Sequence, residues 1–172
     1  MPTAAFIGVG LVLSLIQSNL FRVLGYAHLP GLVPSLVLPL VVFMGVSEYA
    51  LARGAAIAFV LGYATDLLGI APIGLYTFTY VALFVLARAA GVRLAAQTML
   101  MQVVLALAFT LLHAVMILVL VAIFGRDAYV PRALLPMVLP HVLATGAIAP
   151  LVFRLAHRLH GATMASARAE GV

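Results

Sequence analysis

Four acidic residues, five histidines and no cysteine are the whole supply for acid–base, nucleophilic or metal chemistry in these 172 residues. Glu48, Asp66, Asp127 and Glu170 are scattered along the chain, which leaves almost no material for a paired-carboxylate mechanism. The lack of Cys excludes disulfides, thiolate metal sites and Cys nucleophiles. His113 and His141 lie on different apolar stretches, with no third ligand nearby and no His-x-x-x-His or Glu-x-x-His spacing. Interhelical hydrogen bonding therefore fits them better than a metal. Gln102, Ala106 and Thr110 share a helix face, His113 follows, and Thr145 lies one turn beyond His141. Ser47 is followed by Glu48 where an intramembrane serine protease needs Gly. No cofactor is implied.

Gly54, Ala58, Gly62 and Asp66 recur every fourth residue and form one stripe of a helix. Small residues at that spacing let a second backbone approach closely. A carboxylate at membrane depth costs some kcal/mol (about 2.5–3.5 at mid-span), so Asp66 must face protein, water or a cation. Two readings stand: an anchor for a partner, substrate or proton, or a helix-end residue that is solvated or paired with loop backbone. Gly69, three residues on, marks the end of that helix. The loop through Pro72 and Gly74 is a rigid turn without a phosphate-cradling lysine. Gly10, Ser14 and Ser18 make a second small-residue stripe near the start of the chain.

The elements that hold these residues follow from composition. The chain is 66% apolar and 8% charged, with a mean hydropathy of +1.28. A soluble domain carries about 25% charge. A soluble enzyme, a disordered tail and a fibre are excluded, and an integral membrane protein remains. Apolar stretches run over residues 1–21, 30–46, 54–68, 75–87, 94–124 and 133–153. They predict an all-α polytopic bundle of about six transmembrane helices over residues 1–153, with a short basic cytoplasmic tail over 154–172 that frays from Gly161. The second and third stretches are short, so they are either two brief spans or a re-entrant hairpin. The fifth is long enough to tilt, kink or begin along the interface. Between the second and third, Ser47 to Arg53 is a polar turn in which Glu48 can pair with Arg53.

All nine cations are Arg. Their spread between spans indicates topology and lipid headgroups rather than nucleic acid. Six spans put Arg53, Arg88, Arg93, Arg154, Arg158 and Arg168 on one side and Arg22, Arg126 and Arg132 on the other. This places both termini in the cytoplasm. His157 and His160, among Arg154 and Arg158, suit headgroup contacts.

The run from Pro34 through Pro39, Gly45, Arg53, Gly62, Asp66, Pro72 and Gly74 to Tyr80 resembles the central block of the rod shape-determining protein MreD family. Gly62, Asp66, Pro72 and Gly74 match the family's Gly-x-x-x-Asp helix end and Pro-x-Gly loop. Ser35 stands where that family often has Asp, and Ala58 where Gly is common. The resemblance implies a non-enzymatic, multi-pass protein of the bacterial inner membrane. It would bind MreC, in one assembly with MreB, RodZ, RodA and a penicillin-binding transpeptidase, for lateral peptidoglycan synthesis and cell shape. The layout is also similar to the substrate-binding subunits of energy-coupling-factor vitamin transporters, whose docking helix the Gly10, Ser14, Ser18 face would match. On the scaffold reading, the small faces of the first and third helices receive partner helices. Asp66 with the Pro72–Gly74 loop then shapes the outer surface beside that contact.

Overall fold

A computed structural model describes residues 2–26, 33–47, 50–69, 72–90, 98–124 and 129–169. All the regular structure among them is helical: α1 (Pro2–Tyr26), α2 (Val37–Val46), α3 (Leu51–Leu68), α4 (Leu75–Ala89), α5 (Met99–Phe124) and α6 (Tyr129–Ala169). Four helices carry windows long and apolar enough to cross a membrane: Ala4–Val23, Leu51–Leu68, Met99–Phe124 and Leu135–Leu159. α2 and α4 are shorter apolar helices. The molecule is thus an all-helical membrane protein.

The helices of spanning length bury only 22–33% of their windows inside the bundle. Their outer faces carry Leu, Val, Ile and Phe, such as Val12, Leu15, Leu100, Leu111, Leu143 and Leu151. Such faces suit lipid, where no hydrophobic penalty attaches to exposure. α5 shows the inward face clearly. Gln102, Leu105, Ala106, Phe109, Thr110, His113 and Ala114 are buried, the three-and-four spacing of a helix stripe. The polar face read from the sequence therefore does point inward.

α2 is the opposite case. Every residue from Val33 to Val46 is buried, and α2 packs on each of the other five helices. A helix that is apolar all round is stable only when enclosed, and this one fills the centre of the bundle. Its ten residues reach about 15 Å, half a hydrocarbon core. It begins at Val37, although the apolar stretch starts earlier: residues 33–35 are non-helical, and Pro34 disfavours helix at Val33. Pro39 falls in the first turn, where its missing N–H breaks no helical bond. Phe43 ties the lower end together: it stacks on Phe6 of α1 at 6.5 Å and meets Phe153 edge-on at 5.8 Å.

Two boundaries differ from expectation. α3 begins at Leu51, so Arg53 lies inside the helix rather than in a turn. Glu48, its expected partner, lies outside the described residues, as do Arg93, Arg126 and the 94–97 start of the fifth stretch. α6 runs unbroken past Phe153 to Ala169, so residues 161–169 are helical rather than frayed. Pro136, Pro140 and Pro150 sit within it. Helices packed in a membrane bundle tolerate proline because neighbours re-satisfy the freed backbone groups.

Candidate functional site

Asp66 sits in the last turn of α3 and is 2% exposed. Its carboxylate reaches across to the start of α4. Oδ2 accepts hydrogen bonds from Gly74 N–H at 2.9 Å, Thr77 N–H at 3.0 Å and Thr77 Oγ1 at 2.6 Å. Oδ1 accepts from Tyr76 N–H at 2.9 Å. Leu75 N–H donates instead to Pro72 O at 3.2 Å, and Phe78 N–H to Gly74 O at 2.9 Å. Every N–H from Gly74 to Phe78 therefore has an acceptor. A helix start leaves its first four N–H groups without intrahelical partners and carries partial positive charge. One acid borrowed from the preceding helix meets both demands.

The sequence dictates this local geometry. Gly74 has φ of +101°, the left-handed region that a residue with Cβ rarely adopts. That turn aims the Gly74, Tyr76 and Thr77 amides back at α3. Gly62, one turn before Asp66, lets the two backbones meet. A Cβ there would lie 2.5 Å from Thr77 Cα and 2.8 Å from Tyr76 O.

The small-residue stripes are thereby accounted for inside the chain. Gly54 lies against the Phe84 ring, Ala58 is fully buried, and Gly62 touches the α4 backbone. α4 occupies the face that was expected to receive a partner's helix, because a close-packing stripe is filled by whichever helix the turn returns to it. On α1, Gly10 faces Leu61 of α3, and buried Ser14 donates to its own helix at Gly10 O. Ser18 is half-buried and Pro72 is exposed. Asp66 takes the helix-end reading, paired with backbone but buried rather than solvated.

A second polar constellation surrounds the non-helical lead-in to α2, and the sequence reading saw only part of it. Ser35 N–H donates to Thr145 Oγ1 of α6 at 2.9 Å. Leu36 N–H donates to Gln17 Oε1 of α1 at 2.9 Å. Val33 O accepts from His141 Nδ1 at 2.6 Å. A carbonyl can only accept, so His141 carries its proton on Nδ1. Backbone outside a helix is tolerated at membrane depth only when protein satisfies it, and three side chains from two helices do so here. His141 and Thr145 bond across the bundle to non-helical backbone rather than to another helix, and His113 Nε2, for which interhelical bonding was also expected, has no hydrogen-bond partner among the described residues. Gln17 was missed. Its partner is 19 residues away, and nothing local distinguishes it from a lipid-interface glutamine.

Beside this lead-in lie His113, Tyr76 and Tyr80. The imidazole sits 5.7 Å from the Tyr76 ring and 5.5 Å from the Tyr80 ring. His113 and His141 are near enough to interact electrostatically. Among the described residues no group of three His, Cys, Asp or Glu side chains is placed to hold a metal ion.

At the opposite end, the His157 ring packs edge-on against Phe43 at 4.7 Å. Arg53, Arg154 and Arg158 are exposed there, and Arg154 rests on the sulfur of Met99 at 3.6 Å.

Comparison with known proteins returns no matching family model, no matching curated protein and no matching solved structure.

Proposed function

We propose that this chain is a non-enzymatic scaffold subunit of a bacterial cell-elongation complex. It lies in the inner membrane with six crossings and both termini cytoplasmic. It holds MreC, and through the same assembly MreB, RodZ, RodA and a penicillin-binding transpeptidase, for lateral wall synthesis. The observation that carries the reading is the state of Asp66. The single acid among the described spans is saturated by four hydrogen bonds from the start of α4, which suits a framework and leaves it no lone role in catalysis. The residues that make this cap, Asp66 and Gly74 with Gly62 and Pro72 around it, are those that carry the MreD resemblance. The exposed Arg53, Arg154 and Arg158 suit a cytoplasmic end. In this reading α2 crosses together with its lead-in, enclosed by protein throughout.

Because α4 fills the Gly54–Gly62 face, a partner helix meets the outward faces of the bundle. Gly62→Leu is then a probe of the α3–α4 seam rather than of a partner. The decisive experiment is affinity purification of the tagged full chain from its native membrane, followed by mass spectrometry. MreC and other elongation proteins are expected. A pair of ATPases with a transmembrane coupling subunit would replace this reading with a transporter subunit. Fusions after Val172 test the topology: GFP is expected to fluoresce and alkaline phosphatase to be inactive.

A further inference from the structure

Three buried side-chain atoms among the described residues have no hydrogen-bond partner: Ser35 Oγ, Tyr80 Oη and His113 Nε2. They belong to one neighbourhood. The Tyr80 hydroxyl faces the Ser35 and Thr65 hydroxyls without reaching bonding geometry. The Tyr80 ring lies 5.5 Å from that of His113. The side chains are 2%, 0% and 3% exposed. Thr65 Oγ1 is already committed to Leu61 O at 2.8 Å, and Thr145 Oγ1 to Ser35 N–H and His141 O.

A hydroxyl or imidazole nitrogen left bare in a protein interior loses its hydration with nothing in return. Three in one place, inside a lipid-embedded bundle, would be a heavy burden. The remedy that buried polar groups ordinarily find is a trapped water making two to four hydrogen bonds. We propose that the protein holds internal water at the lead-in to α2, bridged among Ser35 Oγ, Tyr80 Oη and His113 Nε2. The chemistry of the site favours this guest over others. Hydroxyl and imidazole groups can donate or accept as a water requires. The one acid among the described residues, Asp66, is already committed to the start of α4. The guest sits beside the stretch of non-helical backbone at the centre of the bundle, so it completes the polar lining that Gln17, His141 and Thr145 begin.

The sign of two minimal substitutions tests this in the full chain reconstituted in lipid nanodiscs. Tyr80→Phe and Ser35→Ala each remove one polar atom and little else. If water bridges the groups, each variant melts lower, by about 2–4 °C for a loss near 1 kcal/mol in a chain of this size. If the atoms are bare, each variant melts higher, and the proposal fails. A direct Ser35–Tyr80 bond without water would also lower both, so a second measurement is needed. Water-edited solid-state NMR of the ¹⁵N-histidine protein should transfer water magnetisation to His113 Nε2, with the signal identified by its loss in His113→Phe. Absence of that transfer overturns the proposal. So does native mass spectrometry that finds a stoichiometric organic molecule bound to the wild type and lost in Tyr80→Phe.

Discussion

At two helix starts in this bundle, side chains from elsewhere receive N–H groups, in the first turn of α4 and just ahead of α2, and the two starts solve the problem differently. α4 uses one carboxylate, Asp66, delivered by the helix just before it. α2 uses neutral groups, Gln17 Oε1 and Thr145 Oγ1, with His141 holding the Val33 carbonyl. The difference follows from position. Asp66 stands at the α3–α4 turn, where Pro72 and Gly74 are exposed. The start of α2 is enclosed on all sides, where an unpaired charge would be far more costly than an amide. A charged cap suits the edge of the bundle and neutral caps suit its centre.

The largest effect should come from breaking the charged cap. Asp66→Ala leaves three backbone N–H groups and the Thr77 hydroxyl without their acceptor. We expect a loss of about 3 kcal/mol or more, since each buried orphan costs about 1–3 kcal/mol before relaxation. Thermal unfolding in lipid nanodiscs measures it. Asp66→Asn keeps one good acceptor oxygen and should fall about midway. A loss below about 1 kcal/mol in Asp66→Ala would mean that water replaces the carboxylate and that the cap is effectively solvated.

Gly62→Ala comes next. Its Cβ would press on α4 backbone atoms that cannot rotate away. Overpacking of this kind costs about 1–3 kcal/mol. It should also move Asp66 off the Gly74–Thr77 amides, so Gly62→Ala and Asp66→Ala together should cost less than their sum. Strict additivity would separate the seam from the cap.

The two starts also differ in how far the sequence discloses them. The α4 cap was legible in part: its pieces lie within sixteen residues, Gly62 to Thr77, and pairing of Asp66 with loop backbone was one of two readings left open. A small residue permits approach, an acid near a helix end seeks N–H groups, and Gly74 supplies the left-handed turn. What could not be read was that α4, rather than a partner's helix, fills the stripe; spacing gives a face but not its occupant. The span count blurred at α2 because a uniformly apolar run reads alike whether it crosses a bilayer or fills a core. The α2 cap was mostly illegible, since its contacts join residues 19 and 110 apart. His141 and Thr145 drew notice only because polar groups within a span need a partner.

Thr145→Val tests the neutral cap. It removes the acceptor for Ser35 N–H while keeping side-chain volume, and should cost about 1–2 kcal/mol. Thr145→Ser should restore most of that. Gln17→Leu orphans Leu36 N–H on the other side of the same segment and should cost about 1 kcal/mol. Both hold one short stretch of chain, so the double variant should show coupling of about 0.5 kcal/mol or more. Independent effects would mean that the lead-in is fixed by packing alone, and the contrast with α4 would then rest on Asp66 only.

The smallest effect distinguishes the seams behind the two caps. Gly10 brings α1 against α3, and α1 carries Gln17. A Cβ at Gly10 would meet the Leu61 side-chain tip, with Cδ2 at 2.3 Å and Cδ1 at 2.7 Å. A leucine tip can change rotamer, unlike the backbone opposite Gly62. Moreover, α1 buries only 22% of its spanning window in the bundle, so it can slide outward into lipid at little cost. Gly10→Ala should therefore lose less than about 1 kcal/mol, the lower end of overpacking effects. What it should change instead is the coupling measured above: an α1 displaced from α3 draws Gln17 from Leu36, so Gln17→Leu should cost less in the Gly10→Ala background. If Gly10→Ala destabilises as strongly as Gly62→Ala, α1 is held as rigidly as α4, and both helix starts rest on fixed seams.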